Sequence, residues 1–277
     1  MTPHPNLVSD SRLINDAISL LKAFGGQASA VSVVDFVMKI RRPDPTLAKQ
    51  LVADLIERDP RLTLNDHMVE LTPDAYDDRE IEQTDFVVFD VETTGSKVPP
   101  GRMIEIGMYR VTGGRVADEF CTLVNPGTHI PPFISQLTGI TRQMVDEAPR
   151  FEEIAADLLN FVGDSVLVAH NSGFDMGFLN HEIGLVYKDY RVANPCLCTV
   201  KLSRRLLPDI ENHKLKTVAQ HYEVDLYNHH RAGPDAKATA HIFINLLTQL
   251  RVEGVNDLKS VRRIASQRQR YAKRRAA

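Results

Sequence analysis

The stretch Phe86-Val87-Val88-Phe89, followed at once by Asp90-Val91-Glu92 and Thr93-Thr94-Gly95, constrains this chain more than any other. A short apolar run that ends in a turn-forming Thr-Thr-Gly reads as a buried strand. Side chains alternate along a strand, so Asp90 and Glu92 share one face while Val87, Phe89 and Val91 fill the other. Neighbouring carboxylates repel, and a largely buried pair is tolerated only where a cation binds or one member takes up a proton. The alternative is a solvent-facing edge strand with ordinary acidic side chains. The stretch alone does not decide between them.

The sequence around it changes in kind at residue 84. Before it, residues 1–71 read as a small helical domain. Leu13, Ile14, Ala17, Ile18 and Leu21 recur at helical spacing after Ser11, and Gly25-Gly26 ends that helix. A second helix is expected over Ala30–Lys39, and a third from Asp44-Pro45 with Leu47, Ala48, Leu51, Val52, Leu55 and Ile56 on one face. A hairpin follows, with Leu62 and Leu64 before Asn65-Asp66 and Met68, Val69 and Leu71 after it. Three helices and a hairpin resemble a winged-helix module. The third helix, however, sets Lys49 and Arg58 against Asp54, Glu57 and Asp59, which does not suit a major groove. A protein contact or a packing role is expected for residues 1–71 in preference to duplex recognition. Residues 72–83 are acidic and lack periodic apolar positions, and read as a linker.

From Phe86 onward, strands are expected over 86–92, 103–111 and 116–124, the last two joined by Thr112-Gly113-Gly114-Arg115. A helix over 151–162, a buried strand at Val166-Leu167-Val168-Ala169, a helix from Phe174 to about Tyr187 and a short strand near Cys196 come next. Helices near 199–207, 214–222 and 234–250 complete a mixed sheet covered by helices. The three cysteines, Cys121, Cys196 and Cys198, are too few for a disulfide framework and read as reduced core or near-core thiols. At 43% hydrophobic and 25% charged, the composition is that of a soluble globular protein, and no apolar run approaches the roughly 18 residues of a spanning helix. With no secretory pattern at Met1-Thr2-Pro3-His4-Pro5, a cytoplasmic protein without membrane contact is expected.

The net charge of −3 hides an asymmetry. Lys and Arg number 9 against 14 Asp and Glu in residues 1–83, 15 against 20 in 84–250, and 9 against 2 in 251–277. Arg262, Arg263, Arg268, Arg270, Lys273, Arg274 and Arg275 make the last segment a basic tail. It reads either as a polyanion tether or as a solvated terminal helix.

Two further segments carry chemically capable residues to element ends. His170-Asn171-Ser172-Gly173-Phe174-Asp175 runs from a buried strand into a helix, with Asp175 in the first turn, where the helix dipole favours a carboxylate. His229-His230-Arg231-Ala232-Gly233-Pro234-Asp235 delivers a second Asp into a first turn.

Asp90-x-Glu92 with Thr93-Thr94-Gly95, Asp175 within His-Asn-x-x-Phe-Asp, and His230 five residues before Asp235 resemble the three motifs of the DEDDh family of 3′–5′ exonucleases. That family includes the proofreading (epsilon) subunit of bacterial DNA polymerase III. The likeness covers about residues 84–250 and includes Gln136-Leu137-Thr138-Gly139-Ile140-Thr141. A sister branch has Tyr four residues before the last Asp, where this chain has Arg231. His229 neighbours the assigned histidine, and spacing to Asp235 selects His230. The resemblance implies an α/β, ribonuclease H-like mixed five-stranded sheet flanked by helices. It implies two Mg²⁺ or Mn²⁺ ions roughly 3.5–4 Å apart, with Asp90 bridging them, Glu92 and Asp235 on the ion that carries the attacking water, and Asp175 supporting the other. His230 would take that water's proton, and Thr93 and Asn171 would grip the terminal nucleotide. The activity so implied is release of nucleoside monophosphates from single-stranded or frayed DNA 3′ ends, in proofreading or repair. RNA 3′-end trimming is the alternative within the class, and a non-catalytic adaptor of a polymerase or repair complex the alternative outside it. Recruitment to such a complex would run through residues 1–71.

Overall fold

The computed structural model describes residues 3–57 and 59–266. Arg58, Arg268, Arg270, Lys273, Arg274 and Arg275, which enter the charge reading above, lie outside the described residues. Residues up to Ala75 form one compact unit together with Ile183–Ala193, and Tyr76–Glu182 with the residues from Asn194 onward form a second.

In the first unit, β1 (Leu7–Ser9) precedes α1 (Arg12–Ala23), whose buried stripe is Ile14, Ala17, Leu20 and Leu21. Strand β2 (Gln27–Ser29) leads into α2 (Ala30–Val33), and the expected second helix continues as one widened π turn over Val34–Met38 that ends with Lys39 in the left-handed region. Helix α3 (Pro45–Ile56) begins where the Asp44-Pro45 signal places it, and the Asp44 carboxylate accepts the Thr46 and Leu47 amides at 2.9 and 3.2 Å. The hairpin of β3 (Leu62–Asn65) and β4 (Met68–Leu71) completes a three-stranded antiparallel sheet of order β2-β4-β3. Ile14, Leu21, Val33, Val34, Val52 and Val69 close the core of this unit.

The second unit is built on β5 (Phe86–Thr93), β6 (Met103–Thr112) and β7 (Arg115–Leu123), an antiparallel run. Helices α4 (Pro132–Thr138), α5 (Arg142–Asp146) and α6 (Phe151–Val162) lead to β8 (Val166–Ala169), which pairs parallel to β5. Helix α7 (Ser172–Val186) and β9 (Tyr190–Val192) follow, the latter antiparallel to β1 within the first unit. Strand β10 (Cys196–Cys198) adds parallel to β8 and gives a five-stranded sheet of order β10-β8-β5-β6-β7. Helices α8 (Thr199–Leu206), α9 (Leu215–His221), α10 (Ala232–Val252) and α11 (Leu258–Ser266) complete the chain. This is the mixed sheet flanked by helices that the family resemblance implies.

The two faces of β5 divide as its alternation dictates. Phe86 and Val88 pack with Tyr109, Val111, Phe243 and Leu246 under α10, and the Phe86 and Phe243 rings meet edge-on at 4.9 Å. Continuing on that face, Asp90 and Glu92 leave the apolar layer at the strand's C-terminal end. Val87, Phe89 and Val91 are buried on the other side.

Three expectations meet a different arrangement. Within the 72–83 stretch read as a linker, residues 76–83 hold Ile81 at 5% exposure in a 3₁₀ turn, while Asp77 pairs with Arg262 at 2.8 Å. Buried Ile81, ion pairs of Asp77, Arg79 and Glu82 with Arg262, Asp164 and Arg251, and backbone hydrogen bonds of Asp77, Arg79 and Ile81 dock this acidic stretch on its unit, which periodicity does not reveal. The start of the basic tail forms α11, with Leu258 and Val261 fully buried. Cys121 is exposed rather than near-core, because it lies on β7, an edge strand with most side chains facing water, whereas Cys198 is buried. Among the described residues no helix is long and apolar enough to cross a membrane.

Candidate active site

Three chain segments converge where β5 ends. Strand β8 accompanies β5 only as far as Val88, so the backbone of Val91 has no strand beside it on that side. Helix α7 starts just beyond β8, and its first turn fills the vacancy: Asp175, 2% exposed, accepts the backbone N–H groups of Val91 and of Asp175 itself. An unpaired strand amide needs an acceptor and a helix N-terminus favours an anion, so one carboxylate satisfies both.

The fourth carboxylate arrives on α10. Asp235, 4% exposed, sits in that helix's first turn and donates its amide to the Arg231 carbonyl at 3.0 Å. Carboxylate oxygens of Asp90, Glu92 and Asp235 lie within 4.8 Å of one another. His230, at φ 71°, donates its backbone N–H to Asp235 at 3.1 Å, while His229 Nδ1 lies 3.0 Å from both Asp235 oxygens. The two imidazoles stack with centroids 4.0 Å apart. The structure therefore brings both histidines to Asp235, and the side chain on the carboxylate is that of His229.

Burial and mutual repulsion dominate the electrostatics. Burial, and then the charges of Asp175, Glu92, Asp235 and Glu105, hold Asp90 well above the ordinary carboxylate range. Glu92 is pushed up to about 8 by burial and by Asp235, Glu105 and Asp175, against the opposing Arg231 guanidinium. Asp175 rises to about 7 through burial, against its two backbone donors. Without a cation, burial and mutual repulsion favour protons retained in the cluster. His230 is lowered by burial and by His229 despite Asp235, so its imidazole is neutral there and able to accept a proton.

Carboxylate oxygens so crowded and proton-hungry fit a divalent cation, and the His229 and His230 imidazoles stand within ligand reach of Asp235. Glu92 and Asp175 bind protons more tightly in the folded chain than in the unfolded one. Their contribution to stability therefore turns unfavourable as pH climbs from the ordinary carboxylate range, and is fully so above about 8. Bound cations displace those protons. Thermal unfolding with and without Mn²⁺ should show a larger metal-induced rise in midpoint at pH 8.5 than at pH 6, with proton release seen by calorimetry. A rise independent of pH would contradict the site.

The remaining expected residues serve their loops. Thr93, 5% exposed, donates its hydroxyl to the Gly95 carbonyl at 2.8 Å, and Asn171, exposed and left-handed at φ 74°, turns the chain from β8 into α7. Glu105 escapes notice in the sequence, and Arg231 is read there only as a departure from the Tyr branch, not as part of the site. Glu105 stands opposite Glu92 in the β5–β6 register, and Arg231 clasps it. Strand register brings Glu105 beside Glu92, and the ion pair with Arg231 joins two segments far apart in sequence. A surface depression of about 680 Å³ lined by Tyr109, Tyr227, Pro234, Lys237, His241 and Asn245 holds none of the four carboxylates.

A ribonuclease H-like sheet whose central strand ends in clustered carboxylates defines the class of nucleases. Residues 87–243 match the exonuclease family RNase_T. The PolC-type DNA polymerase III of Caldanaerobacter subterraneus is 42% identical over 188 residues, which is 67% of this chain and 13% of that protein. The DNA polymerase III subunit epsilon of Aquifex aeolicus is 39% identical over 180 residues, 65% of this chain and 89% of its own length. Among solved structures, Exonuclease X in complex with 5′ overhanging duplex DNA superposes with a TM-score of 0.53 at 25% identity, covering 65% of this chain and 99% of that one. E. coli Exonuclease I in complex with a dT13 oligonucleotide, at 17% identity and TM-score 0.52 over 62% of this chain and 43% of that one, shares the fold. The chain belongs to the exonuclease family. It spans about an eighth of the PolC-type relatives it matches.

Proposed function

We propose that residues 84–250 form a divalent-metal-dependent 3′–5′ exonuclease that removes nucleoside monophosphates from single-stranded or frayed DNA 3′ ends, in proofreading or repair. The observation that carries this reading is the convergence of Asp90, Glu92 and Asp235 within 4.8 Å, with Asp175 and His230 at the same strand end. Asp90, Glu92, Asp175 and Asp235 would hold two Mg²⁺ or Mn²⁺ ions. Ions so held stabilise the attacking and leaving oxygens of a phosphodiester displacement. The chain's own part is orientation and proton transfer. Water attacks phosphorus, its proton passes to the neutral His230 imidazole, and the phosphorus–O3′ bond breaks. The 3′-oxygen leaves as an alkoxide and takes a proton from solvent to become a hydroxyl, while His230 returns its proton to solvent. In this reading, Thr93 and Asn171 border the terminal nucleotide.

DNA is favoured over RNA by the relatives, which include an epsilon subunit and an Exonuclease X bound to DNA. Intact carboxylates with a neutral histidine beside them argue against a non-catalytic adaptor. For residues 1–71, a protein partner in a polymerase or repair complex is supported by exposed Phe24, Phe36, Ile40 and Leu47. Lys49 of α3 is engaged with Asp66 at 3.2 Å rather than offered to phosphate. Polyanion contact by the basic tail rests on charge alone.

The histidine assignment has a direct test. On a 5′-labelled oligonucleotide, His230→Ala should slow cleavage by about 10²- to 10⁴-fold without loss of fold, and matched RNA should be cut more slowly than DNA. His229→Ala should cost less than His230→Ala. The reverse order would move the base role to His229, undiminished activity in both would sink the assignment, and faster RNA cleavage would change the substrate class.

A further inference from the structure

We propose that Glu105 and Arg231 form a positioning clamp that seats the histidine loop and the start of α10 on the sheet. It rests on the exonuclease reading above and concerns residues that touch neither metal nor substrate in it. The clamp begins with the register: Glu105 faces Glu92 across the β5–β6 pair, and Gly107 faces Asp90. Glu105 and Gly107, two apart on one strand, share a face and make one seat. Arg231 lays its guanidinium across Glu105, with Nε 3.1 and 3.0 Å from the two carboxylate oxygens and a terminal nitrogen at 2.6 Å. The Ala232 amide, one of the donors that a helix N-terminus leaves unpaired, donates to the same carboxylate at 2.8 Å. At Gly107 a Cβ would stand 2.6 Å from the Ala232 carbonyl and the Gly233 Cα, so nothing but backbone separates α10 from β6 there.

Glu105 is 7% exposed and adds its charge to the repulsion on both Asp90 and Glu92. Its three donors come from Arg231 and Ala232, which flank His230 on one side and Asp235 on the other. A fork-shaped, bidentate ion pair fixes orientation as well as distance. Arg231 thus sets the angle at which His230 leaves the sheet and the depth at which Asp235 meets Asp90, and its positive charge opposes the repulsion on Glu92. Lys offers charge without the fork, so Arg231→Lys should restore only part of the effect.

The test compares wild type, Arg231→Met, Arg231→Lys and Glu105→Gln, with Leu258→Ala, in the buried contact of α11, as a destabilised control away from the site. In Mg²⁺ buffer, Arg231→Met should lower kcat on 5′-labelled single-stranded DNA by about 100-fold with KM within about threefold, as an ångström-scale misplacement does. Mn²⁺ affinity, measured by calorimetry without substrate, should fall by about tenfold. Arg231→Lys should recover about a tenth of the wild-type kcat, and Leu258→Ala should keep both kcat and Mn²⁺ affinity at an equal loss of melting temperature. If Arg231→Met does not fold, Glu105→Gln carries the test with the same direction. The proposal is overturned if Arg231→Met or Glu105→Gln matches wild type, or loses no more than the control. A wild-type protein that does not shorten DNA would refute the exonuclease reading instead, and Mn²⁺ affinity alone would then judge the clamp.

Discussion

Asp90→Asn is expected to abolish most activity while making the metal-free protein harder to melt. Asp90 stands among Asp175, Glu92, Asp235 and Glu105, and both burial and these charges oppose its ionisation. Asparagine keeps the shape and removes the charge, so the metal-free fold loses a repulsion whose cost grows with pH. In EDTA the variant should gain about 3 °C or more at pH 9, the shift that roughly 1 kcal/mol produces in a chain of this size, and less at pH 6. Cleavage should fall by about 10³-fold or more, a loss of about 4 kcal/mol in transition-state stabilisation. Added Mn²⁺ should no longer raise its melting point as it does for wild type. A site shaped for function at the expense of stability shows this opposition. If the variant melts lower than wild type in EDTA, or cleaves normally, the account of the cluster is wrong.

Gly107→Ala should be nearly as damaging although it removes no functional group. The added methyl would lie 2.6 Å from the backbone of Ala232 and Gly233, where neither strand nor helix has a flexible side chain to yield. Relief requires α10 to lift from β6, and that displaces Asp235 from Asp90. Overpacking of this kind costs about 1–3 kcal/mol in stability, and an ångström of misplacement costs about 100-fold in rate. Gly177 in α7, with open space around its would-be Cβ, is the internal control. Gly177→Ala should leave activity alone and stabilise by up to about 1 kcal/mol through helix propensity. Denaturant unfolding and kcat on the two variants settle the matter, and equal behaviour of the two would contradict the packing argument.

How much of this was legible in the sequence depended on whether the signal was local. Period-two alternation placed Asp90 and Glu92 on one face, and an apolar stripe placed the helix at Phe151–Val162, because both are properties of a few neighbouring residues. Asp44-Pro45 marked a helix start by its own capping chemistry. What stayed hidden were pairings between distant segments. Leu7–Ser9 finds its partner at Tyr190–Val192, and Glu105 finds Arg231, with nothing in either local pattern to announce the match. The short helices at Pro132–Thr138 and Arg142–Asp146 are too brief to show a period. The π turn at Val34–Met38 keeps a helical pattern while changing its hydrogen bonding. At the site, spacing named His230, whereas only three dimensions show the His229 ring on the Asp235 carboxylate.

The central claim is that these carboxylates and His230 hydrolyse phosphodiesters from a 3′ end. It is met most directly by following a 5′-labelled single-stranded DNA with the full chain in Mg²⁺ and, in parallel, in EDTA. A ladder of labelled strands shortened one nucleotide at a time, with nucleoside monophosphates released only when Mg²⁺ is present, is the expected result. Release of the label as a short 5′ product, or no shortening in Mg²⁺, would contradict it.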